Sequence, residues 1–206
     1  MNLITISREF GSGGRELGKR LADLLGYDYY DSEIIAAIAE KSGFDKGYIE
    51  KVLDQHGWQN YPLTLNASFI APNYTDPTQV NLLMNQKAVM EEIAAKGNNC
   101  IIIGRNADVL LSQYNPLRIF VCAEMDAKVK RCFERASESE NLSEKEMRRK
   151  IKQVDKARAQ TRAIFSGSSW GDPEGYQLTI NTTGWDLKAL AVALAAFVNV
   201  YFENNA

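Results

Sequence analysis

The sequence predicts an α/β sandwich on a mostly parallel sheet, and three observations carry that expectation. Short, apolar, β-branched runs alternate with longer stretches of helical period along the whole chain. The first run, Leu3-Ile4-Thr5-Ile6, breaks into Phe10-Gly11-Ser12-Gly13-Gly14 and passes directly into a helical pattern. Neither internal repeats nor low-complexity linkers interrupt the alternation over 206 residues, a length that suits a single domain.

The first helix has Leu17, Leu21 and Leu24 spaced four and three apart on one face. Strand, glycine-rich turn and helix in that order is the layout of a phosphate-binding loop. Its glycines let the backbone take φ > 0 and come close to a ligand. The N–H groups that open the helix, with the positive end of its dipole, then hold an anion. Arg15 falls in the first turn, where a cation opposes the dipole at a cost of about 0.3–1 kcal/mol. A bound phosphate would compensate, with Lys19 one turn further on. The alternative is a plain strand-to-helix turn with both side chains solvated. Aligned by its glycines to G-x-x-x-x-G-K-[ST], the loop has Gly14 or Arg15 at the lysine position, and Glu16 near the hydroxyl position.

Gly26 reads as the C-cap of this helix and Tyr27–Tyr30 as a short strand. Asp31 starts a helix with Ile34, Ile35 and Ile38 behind it, and N-capping alone would explain the aspartate. A second short helix is expected from Asp45 to about His56. Residues 57–78, with Trp58, Tyr61, Pro62, Phe69, Pro72, Tyr74 and Pro77, lack clear periodicity. We read them as a substrate-side flap; the alternative is a contact between copies in a homo-oligomer. A helix follows to about Lys96, with Leu83, Val89, Met90 and Ile93 apolar and Gly97 ending it. Cys100–Ile103 and Arg118–Cys122 are strands; the helix after the second carries Lys128, Lys130, Arg131 and Arg135. Ser143-Glu144-Lys145-Glu146 is a capping box opening a long basic helix to about Phe165. Ser166–Gly175 is turn-rich, Tyr176–Ile180 is the last strand, and Asp186 caps a final helix with Leu190, Leu194, Phe197 and Val198 toward the core.

Ligands of such sheets bind at the carboxyl ends of the strands, which brings Arg8–Arg15, Gly104–Arg105 and the turn near Asp31 to one site. Net charge is −2, so no global field recruits nucleic acid or an anionic membrane, and neither is expected as a partner. No signal-peptide pattern opens the chain and no apolar run reaches about 20 residues. Cys100, Cys122 and Cys132 are odd in number and unpaired in spacing, which fits a reduced, cytoplasmic protein. The single histidine, His56, is weak evidence for a metal site or a base.

The segments ITISREFGSGGRE (4–16), Tyr30-Asp31, IGRNAD (103–108) and WGDP (170–173) resemble the cytidylate kinase-like family of P-loop nucleoside monophosphate kinases. The resemblance spans nearly the whole chain. It implies one domain over residues 1–206 with a three-layer P-loop kinase fold and a parallel five-stranded core. An acceptor-side region is expected at about 31–78 and a basic helical lid at about 143–175. The implied chemistry is γ-phosphoryl transfer from ATP to a pyrimidine nucleoside monophosphate, CMP or dCMP first, with Mg²⁺. Gly11, Ser12, Gly13, Gly14, Arg15 and Glu16 would hold the donor phosphates, and Glu16 is the weak metal candidate. Arg8, Asp31, Arg105, Asn106 and Arg131 would serve the acceptor. Arg15, Arg158 and Arg162 would stabilise the transferring group. Arg158 and Arg162 are four apart and share one helix face; the alternative for that helix is a solvated charged face.

The chain departs from cytidylate kinases proper at four places. The loop lysine is matched by Gly14 with Arg15 beside it, and the loop hydroxyl by Glu16. An aspartate after Gly-Arg is matched by Asn106, and an acid three before the lid arginine by Ala159. A non-catalytic nucleotide- or phosphate-binding protein on the same fold is therefore the second reading.

Overall fold

The computed structural model describes residues 1–31, 34, 37, 40, 41, 43, 77–136 and 142–205. Five strands form one sheet: β1 (Leu3–Arg8), β2 (Asp28–Tyr30), β3 (Cys100–Ile103), β4 (Leu117–Cys122) and β5 (Leu178–Asn181). Every pair is parallel and the order is β2-β3-β1-β4-β5. The central β1 pairs Leu3 with Cys100 on one side and Ile4 with Leu117 on the other. The helices are α1 (Gly14–Leu25), α2 (Pro77–Ala95), α3 (Ala107–Leu110), α4 (Met125–Arg135), α5 (Glu144–Phe165) and α6 (Leu187–Asn204).

Strands covered on both faces read as unbroken apolar runs, and this explains Leu3–Ile6 and Cys100–Ile103. Leu3, Cys100 and Ile102 face one core, closed by Val89, Met90 and Ile93 of α2, with Ile34 buried beside them. Ile4, Ile6, Ile101 and Ile103 face the other, closed by Leu17 and Leu21 of α1 and by Ala191, Leu194 and Val198 of α6. Three layers result. A Cβ on Gly18 would lie 2.5 Å from Cδ1 of Ile103, so the missing side chain sets how closely α1 sits on the sheet. A third cluster, Val129, Cys132, Leu142, Met147 and Ile151, joins α4 to α5 and receives Phe10 from the loop.

The local signals behave as read. Gly26 (φ 66°) and Gly97 (φ 76°) take left-handed conformations just beyond α1 and α2. Ser143 and Glu146 form the reciprocal capping box, and Asp186 accepts from the Ala189 N–H at 2.8 Å. Three details differ. The last strand begins at Leu178, because Tyr176 closes the turn after Pro173–Gly175 by donating to the Pro173 carbonyl. Phe197, expected on the core face of α6, is 38% exposed, and Ala191 fills that side. Leu24, on the expected face of α1, is 53% exposed. Ile35, Ile38, the 45–56 helix, His56 and the aromatic segment through residue 76 lie outside the described residues.

Cys100 and Cys122 lie in β3 and β4, and all three cysteines are free thiols. Burial pushes the Cys100 and Cys132 thiols up to about 11.

Candidate active site

The carboxyl end of β1 delivers the chain into a loop bound on every side. Glu9 N–H donates to Val121 O at 2.9 Å and Phe10 N–H to Asp155 Oδ1 of α5 at 2.7 Å. The Ser12 hydroxyl, fully buried, donates to Glu9 O at 2.8 Å. Thr182, just past β5, donates to Ser12 O at 2.6 Å. Gly11 and Gly13 have φ of 76° and 83°, conformations that L side chains resist. A Cβ at Gly13 would also lie 2.8 Å from Leu187 Cδ1.

The first helical bond of α1 runs from Leu17 N–H to Gly13 O. The N–H groups of Gly14, Arg15 and Glu16 therefore precede the intrahelical ladder and point out of the N-terminus. Among them the Gly14 N–H makes a long contact, 3.4 Å, to the Ser12 hydroxyl. Outward N–H groups at a helix N-terminus are the geometry that holds an anion.

The cations around this N-terminus are placed differently from the sequence expectation. Arg15 Nε lies 2.5 Å from Asp31 Oδ2, while Arg8 Nη2 lies 4.0 Å from Asp31 Oδ1. Arg15 thus turns toward Asp31 and remains 65% exposed. The buried Asp31 carboxylate is engaged by two guanidinium groups. Glu16 pairs with Arg20 at 2.8 Å and with Arg135 of α4. Both of its partners are cations, and the described residues gather no group of three or more His, Cys, Asp or Glu. Arg131, expected at the acceptor, instead donates to Gly11 O at 3.0 Å and Thr182 O at 3.1 Å. It braces the back of the glycine loop, and burial lowers its pKa from the usual guanidinium range.

One turn of backbone away lies a small cavity of about 40 Å³, lined by Ser7, Arg8, Gln86, Gly104, Arg105, Asn106, Arg158, Thr161 and Trp170. Three arginines, from β1, the turn after β3 and α5, converge there, and among the described residues no carboxylate lines it. Gly104, Arg105 and Asn106 follow one another with φ of 66°, 58° and 54°. A left-handed arginine costs about 1–3 kcal/mol of strain and persists only where its surroundings impose it. Here the buried Gln86 amide donates to Arg105 O at 2.8 Å and holds the turn. A Cβ on Gly104 would lie 2.8 Å from Cζ of Arg8, so the Arg8 guanidinium stacks on bare backbone.

Helix α5 reaches this region through Arg158, which donates to Arg8 O at 2.9 Å and lies 5.8 Å from the Phe10 ring centroid. Below it, Asp155 takes the Phe10 N–H and meets Lys128 Nζ at 3.4 Å; Lys128 also donates to Glu9 Oε2 at 3.0 Å. Burial raises the Asp155 pKa, opposed by Arg158, the Phe10 N–H and Lys128. Arg162 shares that side of the helix but not the cavity. It is 2% exposed, paired with Asp108, bonded to Ser168 Oγ at 3.2 Å and 5.3 Å from the Tyr176 ring centroid. Arg162 Nε and Asp108 Oδ1 are buried with no hydrogen-bond partner. Of the two α5 arginines, Arg158 lines the cavity and Arg162 does not.

The sequence reading missed Gln86, Asp108, Lys128 and Asp155, and gave Trp170 no individual role. Gln86 had a signal: it lies four and seven residues before Met90 and Ile93, a polar residue on the buried stripe of α2.

The cytidylate kinase-like family model matches residues 3–184. A cytidylate kinase of Haloarcula marismortui is 25% identical over 196 residues, covering 94% of this chain and 88% of that protein. Among solved structures, an uncharacterized protein from Eubacterium ventriosum ATCC 27560 superposes with a TM-score of 0.70 at 24% identity, over 97% of this chain and 98% of that one. A shikimate kinase from Bacteroides thetaiotaomicron gives 0.56 at 15% identity, over 96% and 98%. These superpositions show a P-loop kinase-like fold.

Proposed function

Because this chain belongs to the cytidylate kinase-like family, we propose that it transfers the γ-phosphoryl group of ATP to a nucleoside monophosphate, CMP or dCMP first. The observation that carries this reading is the convergence of Arg8, Arg105 and Arg158 on one small cavity beside the glycine loop. Phosphoryl transfer needs two anions brought together in line and their charge neutralised as it moves. The loop N–H groups take the donor phosphates and the three arginines take the acceptor phosphate. An oxygen of that phosphate bonds to the γ-phosphorus as the bond to the departing ADP oxygen breaks. Mg²⁺, when bound with ATP, supplies charge neutralisation at the β- and γ-phosphates. With Glu16 engaged elsewhere, its ligands would be phosphate oxygens and water.

In this proposal residues from about 143 to 175 close over the phosphates, with α5 linked to the loop through Asp155 and Arg158. Lid closure excludes water from the transferring group. Hydrogen exchange with and without an ATP–acceptor bisubstrate analogue tests it: equal exchange of α5 in both states removes the lid role.

Two observations favour the second reading, a nucleotide-binding protein without transfer. Arg15 is turned to Asp31, and Arg131 braces the loop from behind. Coupled ADP-release assays over all nucleoside monophosphates, with calorimetric ATP titrations, decide between the two. Acceptor-dependent ADP release supports the kinase; ATP binding without release for any acceptor supports the sensor.

A further inference from the structure

We propose that α6 is the interface of a symmetric antiparallel homodimer, in which two copies of this chain pack helix against helix around Ala196. The helix has two apolar faces. Leu187, Ala191, Leu194 and Val198 are buried in the sheet core. Directly opposite, at spacings of three and four, Ala189, Val192, Ala193, Ala196, Phe197 and Val200 are all exposed, the two valines at 57% and 56%. A surface helix ordinarily turns its charged residues to water on that side. Here the only charges on α6 are Lys188 near its start and Glu203 near its end.

Two occupants compete for such a face. By length and a mean hydropathy of 1.3, α6 could cross a membrane. Doing so would strip Leu194 and Val198 from the core that α6 shares with α1. Helices that lie on a membrane carry several cations along the polar flank; this one carries one lysine and one glutamate. That pair favours a second copy. With a two-fold axis at Ala196, each Ala193 falls opposite the partner's Val200, and each Lys188 falls beside the partner's Glu203. Lys188 and Glu203 lie on the same flank of the helix, so the symmetry brings opposite charges together twice. Ala193 and Ala196 let the backbones approach, and Val200 falls opposite the small Ala193. A two-fold interface requires this self-complementarity. The two faces together would remove on the order of 1,000 Å² from water, the low end for a specific interface, which implies a reversible dimer.

Sedimentation equilibrium of the full chain is the first test, and the expected mass is near twice 23.1 kDa at high concentration. Val192→Glu should give a monomer with an unchanged far-ultraviolet spectrum and melting temperature. Lys188→Glu should weaken association about tenfold, and adding Glu203→Lys should restore it. Register is read by cross-linking with copper phenanthroline. Ala196→Cys should form a disulfide with its own copy. Ala189→Cys should not, because its two copies lie roughly 20 Å apart along the axis. The native Cys100 and Cys132, with thiols pushed up to about 11, are spectators. A monomer at every concentration, a dimer that survives Val192→Glu, or cross-linking at Ala189 but not Ala196 overturns the proposal. Monomer that sediments with phosphatidylserine vesicles, and loses this with Val192→Glu, assigns the face to a membrane instead. None of these outcomes depends on the kinase reading.

Discussion

Arg15 and Asp31 meet across the mouth of the glycine loop, Nε to Oδ2 at 2.5 Å. The pair joins the first turn of α1 to the residue after β2, so the Arg15 guanidinium is drawn toward Asp31. An exposed guanidinium on a buried carboxylate is free to trade partners once a phosphate binds. If Arg15 makes that exchange, Arg15→Ala weakens ATP binding or turnover by the worth of a charge-assisted bond, about 1.5–3 kcal/mol. Arg15→Lys recovers part of the loss, because the fork geometry is missing. Calorimetry and steady-state rates measure both, and an Arg15→Ala protein with unchanged affinity and rate would leave the side chain with no donor role.

Gly104→Ala should displace the Arg8 guanidinium, since the added Cβ falls on it and φ is 66°. The expected result is a higher KM for the acceptor with ATP affinity preserved. Equal acceptor KM in the variant and the parent would show that the Arg8–Gly104 stacking does not shape the site.

Arg105→Ala should raise the acceptor KM about 10–100-fold, the loss of a bidentate contact to phosphate. The ATP KM should move less than threefold, roughly, because Arg105 lies outside the donor loop. A change confined to ATP would reverse the donor and acceptor assignments.

Arg162→Ala should act first on stability. Removing one partner of a buried ion pair leaves Asp108 uncompensated, at a cost of about 3–5 kcal/mol. Thermal melts should show a large drop in Tm. Replacing both residues, Arg162→Met with Asp108→Leu, should recover much of it. An Arg162→Ala protein that melts like the parent but has lost kcat would place this arginine on the transferring phosphate in the closed state.

Cys100 and Cys132 should resist alkylation. With thiols at about 11, the thiolate at pH 8 is on the order of 0.1% of each. The rate should rise about tenfold per pH unit as the thiols ionise and jump on unfolding. Mass spectrometry after iodoacetamide, native against denatured, reads it; native labelling at the speed of a free thiol would place both cysteines at the surface.

Most of the frame was legible in the chain itself, because its signals are local. β-Branched runs, Gly26 and Gly97 beyond their helices, the Ser143–Glu146 box and Asp186 each act within a few residues, so spacing alone places them. The glycine loop belongs to the same class, since φ > 0 at Gly11 and Gly13 is a property of the residues themselves. What guanidinium groups do is not local. Arg8, Arg15, Arg105, Arg131, Arg158 and Arg162 look alike in sequence, and which carboxylate, carbonyl or cavity each one meets depends on elements up to 150 residues apart. Tertiary structure alone sent Arg158 to the cavity, Arg162 into the interior beside Asp108, and Arg131 to the back of the loop. It also exposed the second apolar face of α6, because helical period announces that a face is apolar but not that a sheet already covers the opposite one.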